Sequence, residues 1–203
     1  MKKRALVLAL VLCCSVLLVP TAMAEEVVNV YNWYDYMDER VFDLFYQETG
    51  IKVNCMYFTT NEDMMVQVRV SPGAYDVVFP SDYCVERMIE EGLLAEINFD
   101  NVPHFKYILD NLKNPDYDPE NKYSVPFMWG TVGILYNTTK VDEPVDSWGI
   151  LWDEKYAKEI FMLDSIRDTM GLTLKYLGYS MNTRDPQQLK EATQKLIDQK
   201  ALV

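Results

Sequence analysis

Trp33, Asp35 and Tyr36 stand within four residues of one another in the stretch VYNWYDYMDE, directly after a run opened by β-branched residues. Rings and carboxylates usually part, rings to the core and acids to water. Kept together, they complement an organic cation. Each buried ammonium requires a carboxylate or several acceptors. A ring face attracts the charge by about 0.5–2 kcal/mol and also gives methylenes a flat wall. An alkyl di- or polyamine is therefore the chemical counterpart of an aromatic box closed by acids. In extended geometry Trp33 and Asp35 share a face, and a turn would bring Tyr36 beside Trp33. The plainer reading is two core rings and a charge at a helix start.

Two further places hold similar ingredients. In FPSDYCV, Ser81 and Asp82 can cap a following helix, with Tyr83 projecting at its mouth. In LDSIRDTMG, Asp164 and Asp168 are four apart, so on a helix they would share a face and repel. A cation between them, either Arg167 or a ligand, would relieve that repulsion. An N-cap followed by a first-turn acid is the plainer alternative. Enzymatic signatures are weak by comparison. His104 is the single histidine and lies far from any serine or cysteine signature. The phosphate-cradling and dinucleotide glycine patterns are absent, and no cofactor is called for.

The elements that must position these residues are readable from periodicity. EVVNVYNW is a strand ending at the aromatic cluster, and DERVFDLFYQETG is a helix with Val41, Leu44 and Phe45 on one face and Gly50 at its stop. IKVNCMYF is a second strand. Asn61 is a candidate N-cap for a helix whose Met64, Met65 and Val68 share a face. AYDVVFP is a short strand stopped by Pro80, and a third helix carries Val85, Met88 and Ile89 up to Gly92. This alternation predicts an α/β fold around a largely parallel sheet. The site residues would then sit at strand ends, where open α/β sheets bind ligands. Residues 100–122 read as a surface excursion. YSVPFMWGTVGILYN reads as two strands or one long crossing strand, SWGILWDEKY as a short helix capped by Ser147, and EIFMLDS as another strand. DPQQLKEATQKLIDQ is a helix with Asp185 as cap, Pro186 first and Gln188 at the capping-box position. KALV at the end reads as the start of a further element, so the sequence is expected to be truncated.

Lys2, Lys3 and Arg4, the apolar run after them and Ala22-x-Ala24 read as a cleavable export signal over residues 1–24, with a retained membrane anchor as the alternative. Leu12 before Cys13 makes lipid attachment the weaker expectation. With the signal removed, 16 basic residues face 31 acidic ones, a net charge of about −15. Such a surface repels nucleic acid and anionic lipid and draws cations. Cys55 and Cys84 remain as candidates for pairing or as free thiols.

VYNWYDY, FYQETGIKV, GAYDVVFPSDY, YSVPFMWGTVGILYN, SWGILWDEKY and FMLDSIRDTMG follow one another in the order found in spermidine/putrescine-binding proteins of polyamine ABC importers, a family the chain resembles over nearly all of its mature length. The resemblance implies a periplasmic, monomeric, non-enzymatic binding protein of the two-lobed type II periplasmic-binding-protein fold. It would close on its ligand by a hinge and deliver it to a membrane permease driven by an ATPase. The first lobe would occupy 25–128, with the crossover and the start of the second lobe in 129–203.

Carried over by position, Trp33 and Tyr36 match aromatic walls, and Asp35 matches an acid facing an ammonium. Ser81 and Tyr83 match polar contacts, and Asp168 matches a second-lobe acid. Two departures bear on selectivity. Asp35 is one methylene shorter than the glutamate often found there, and Ser165, beside Asp164, stands where relatives can carry another acid. Family members continue well past KALV, so about half of the ligand box is expected in this chain, with sheet edges prone to aggregate. The alternatives are a sensor or adhesive relative, or a non-functional remnant.

Overall fold

Strand β1 (Val27–Trp33) is the centre of a three-stranded parallel sheet, and its position explains its composition. β2 (Lys52–Phe58) pairs along its whole length, from Val27 opposite Lys52 to Trp33 opposite Phe58. β3 (Val77–Val78) lies on the other side, opposite Val30 and Tyr31. A strand flanked on both edges buries residues on both faces, and Val30, Tyr31 and Asn32 are consecutive buried positions. The computed structural model describes residues 25–203, so the expected export signal and its Ala22-x-Ala24 pattern lie outside the described residues. The chain forms two compact units, one ending at Ser81 and the other running Asp82–Val203.

In the first unit, α1 (Arg40–Thr49) links β1 to β2, and α2 (Asn61–Val70) links β2 to β3. Gly50, left-handed at φ 73°, ends α1 with its N–H on Tyr46 O at 2.8 Å. The predicted apolar stripe of α1 is present, but Val41, Leu44 and Phe45 are exposed and no residue of this helix is buried. In α2 the stripe is inside: Met64, Met65 and Val68 are buried. Its cap is Thr60, whose hydroxyl accepts the Asp63 N–H at 3.2 Å, where Asn61 was expected. Thr60 has the extended backbone of a cap, whereas Asn61 is already helical and buried.

The second unit opens with α3 (Asp82–Glu90), which buries Cys84, Val85 and Met88. The excursion that follows consists of short 3-10 turns and is organised by one buried carboxylate. Asp118 accepts the N–H groups of Lys122, Tyr123 and Ser124 at 2.9–3.0 Å and the Ser124 hydroxyl at 2.7 Å. The strands predicted in 123–137 and 159–165 do not form. Neither stretch belongs to the sheet, and Trp129, Leu135 and Phe161 are strongly exposed. A strand needs a neighbour to complete its ladder, and β-forming residue types alone supply none. The predicted helix after Ser147 is a pair of 3-10 turns, Trp148–Trp152 and Glu154–Tyr156, with Ser147 capping as expected.

Helices α4 (Ile166–Tyr176) and α5 (Pro186–Gln199) pack together. Asp185 caps α5 through the Gln187 and Gln188 N–H groups. The Gln188 side chain does not turn back to complete a box; it accepts the Thr183 hydroxyl at 2.6 Å. Trp152 stacks on Tyr176 at 4.9 Å and donates its indole N–H to Lys195 O, while the Lys195 ammonium lies over both rings.

Candidate functional site

The sheet order places β1 where the connections diverge, one side leading to β2 and the other to β3. The crevice at the carboxyl ends of the strands is the ligand position in open α/β sheets. Trp33 is the last residue of β1, half-buried, with its ring 4.5 Å from that of Phe58 at the end of β2. The chain then turns, with Asp35 left-handed at φ 65°, and the Tyr36 ring stacks on Trp33 at 5.7 Å and 29°. Aspartate is among the few non-glycine residues that tolerate this backbone. The expected meeting of Trp33 and Tyr36 is thus present, over a floor, Phe58, that the sequence reading missed. Its register opposite Trp33 at a second strand end was the available signal.

The two acids of this stretch differ. Asp38 holds Arg40 through both carboxylate oxygens and also accepts the Arg40 N–H at 2.9 Å. The Arg40 guanidinium, with its main-chain N–H, keeps the Asp38 carboxyl below its ordinary value of 3.8. Asp35 is exposed and makes no ion pair among the described residues, so its charge faces solvent. Deeper in, Tyr31 stacks on Tyr75 at 4.6 Å and meets Phe58 edge-on; burial, and then the neighbouring Tyr75 and Asp63, pushes its phenol up.

After β3 the chain continues beside β1, with Phe79 N–H on Tyr31 O at 3.1 Å, and reaches Ser81. Ser81 is clamped by Asn61: its hydroxyl accepts from the Asn61 amide at 2.9 Å, and its own N–H donates to Asn61 Oδ1 at 3.1 Å. The first unit therefore brings together Trp33, Asp35 and Tyr36 on one turn, with Ser81 held at the next strand end.

In the second unit Tyr83 is half-buried on the first turn of α3, with the Arg167 guanidinium 5.5 Å above its ring. Ser165 caps α4 and accepts the Asp168 N–H at 3.3 Å, which makes Asp168 a first-turn acid. Asp164 precedes the helix, so the shared helical face does not exist. Arg167 does not bridge the two acids either; it donates to Asn182 Oδ1 at 2.6 Å. Asp164 and Asp168 form no ion pair among the described residues and stand four residues apart as anionic groups. Cys55 and Cys84 are not joined in a disulfide. No group of three metal-ligating side chains occurs among the described residues.

Residues 41–201 match the family model for bacterial extracellular solute-binding proteins. The chain belongs to this family. This solute-binding protein is 34% identical over 177 residues to a spermidine/putrescine-binding periplasmic protein of Salmonella typhimurium, an alignment covering 86% of this chain and 51% of that one. A solved spermidine/putrescine ABC transporter substrate-binding protein of Streptococcus pneumoniae is 38% identical at a TM-score of 0.69, covering 87% of this chain and 55% of its own. A solved lipoprotein of Treponema pallidum is 31% identical at a TM-score of 0.82, with 87% and 56% covered. The solute-binding protein thus shares the α/β fold of periplasmic binding proteins and spans about half the length of the curated relatives it matches. No helix among the described residues is long and apolar enough to cross a membrane.

Proposed function

We propose that this solute-binding protein is the extracytoplasmic binding component of an ABC importer for polyamines, with putrescine or spermidine as ligand. The observation that carries this reading is the Trp33–Tyr36 stack beside the uncompensated Asp35 carboxylate, at the end of a central parallel strand. An ammonium set against these rings finds two π faces and a counter-charge, and its methylenes find the flat walls of Trp33 and Tyr36. Within the second unit, Asp164 and Asp168, without a basic partner, are acids able to neutralise an ammonium, with Tyr83 and Ser165 as polar groups of that unit and Ser81 as one of the first. The names of the relatives support the same ligand class. In this reading the protein catalyses nothing, acts as a monomer in the periplasm, and hands its ligand to a permease and ATPase. On the same reading residues 25–128 belong to its first lobe and residues 129–203 to the crossover and the second lobe.

Titration calorimetry of the exported chain with putrescine and spermidine tests the proposal, with micromolar or tighter binding expected. Trp33→Ala and Asp168→Asn should each weaken binding more than tenfold, about 1.4 kcal/mol or more. Binding that is undetectable in the folded wild type, or unchanged in both variants, would overturn it.

A further inference from the structure

The side chain of Asn32 is completely buried next to Trp33, and its Nδ2 lacks a hydrogen-bond partner, the one such buried side-chain nitrogen or oxygen among the described residues. The other end of the amide is engaged: Oδ1 accepts the Trp33 N–H at 2.8 Å. The amide cannot flip to serve its free end, because Trp33 N–H would then face another donor. Immediately beyond, the turn is loosely tied. Tyr36 N–H reaches Trp33 O only at 3.5 Å, and Asp35 holds a left-handed backbone. A buried donor without an acceptor is rare in native structures, and any accessible arrangement that supplies the acceptor is favoured over one that does not. An ammonium cannot supply it, since it too is only a donor. A main-chain carbonyl of the Trp33–Tyr36 turn can.

We propose that Asn32 is a positioning residue that couples amine capture to closure of the Trp33–Tyr36 turn. As the rings and Asp35 draw around the cation, a turn carbonyl moves onto Asn32 Nδ2 and completes an amide that is half-satisfied in the free protein. The inference rests on the polyamine reading above and adds to it a residue that never touches the ligand.

The test uses the full chain and two readouts. In nitrogen-15 NMR, saturation with putrescine or spermidine should move the Asn32 side-chain amide resonances downfield and slow their hydrogen exchange at least tenfold. Asn32→Leu, similar in shape but without the amide, should bind at least tenfold more weakly, yet melt close to the wild-type temperature, because the unmet Nδ2 donor and the Oδ1 acceptor of the Trp33 N–H are removed together. A purely structural Asn32 would instead lower melting temperature and affinity together, and that result overturns the inference. So does an Asn32 amide that stays unchanged while the wild type binds, and this readout decides the matter even if Asn32→Leu fails to fold. A folded wild type that binds neither amine removes the polyamine reading and this inference with it. Binding with a silent Asn32 removes the inference alone.

Discussion

VVNVYNW at 27–33 and TVGILYN at 131–137 are alike in strand propensity, each rich in β-formers and each ending in a tyrosine or tryptophan beside asparagine. The first is the central strand of a sheet, paired on both edges and buried through Val30, Tyr31 and Asn32. The second enters no sheet, and its Leu135 is 100% exposed. Strand propensity therefore describes readiness to pair, while the strand itself belongs to the pair. Two tryptophans follow the same division. Trp33 is aimed by a ladder, whereas Trp129, on an unladdered stretch, is 77% exposed.

Placing a charge at matched positions gives the sharpest test. Val30→Asp should cost about 4 kcal/mol or more by burying an unpaired carboxylate, enough to abolish a cooperative urea transition. Leu135→Asp should stay within about 0.5 kcal/mol of wild type. An equal loss at both positions would mean that residue 135 lies in a core. Asp118 gives the next effect, because the unladdered stretch begins where this carboxylate, in place of a neighbouring strand, satisfies the main-chain N–H groups of residues 122–124. Asp118→Ala should cost about 3 kcal/mol in the same assay by leaving those donors without their acceptor. The smallest effect lies at the turn after β1. Arg40 holds Asp38 below 3.8, so the contribution of this exposed pair is complete above the ordinary carboxylate value and is lost as pH falls through the lower pKa of the folded state. A carboxyl titration followed by NMR should place the Asp38 midpoint below 3.8 and return it toward that value in Arg40→Ala.

What the sequence disclosed follows the range of the interactions. The alternation from β1 to α3, the Gly50 stop, and the Ser147 and Asp185 caps depend on residues a few positions apart, and they appear where periodicity and cap chemistry put them. The Trp33–Tyr36 contact was legible for the same reason, being a three-residue turn. The clamp between Asn61 and Ser81 spans twenty residues and left no local mark, so Asn61 was read as a cap. Asn32 was illegible for a different reason. Its residue type suggests a surface, and only a place on the central strand makes it buried. The Asp164–Asp168 spacing misled because α4 begins after Asp164, on the Ser165 cap, and a four-residue interval has helical meaning only within the helix.

The two stacked pairs that contain a tryptophan among the described residues fall one in each unit: Trp33 with Tyr36 in the first, and Trp152 with Tyr176, 10° from parallel, in the second. Stacked chromophores at such distances couple through transition dipoles that are skewed to one another, so each pair should contribute its own signed band to the near-ultraviolet circular dichroism. The molecule thus carries two optical labels of its own. Trp33→Phe and Trp152→Phe difference spectra would assign them, and the melting of each unit could then be followed by colour in a single heating scan.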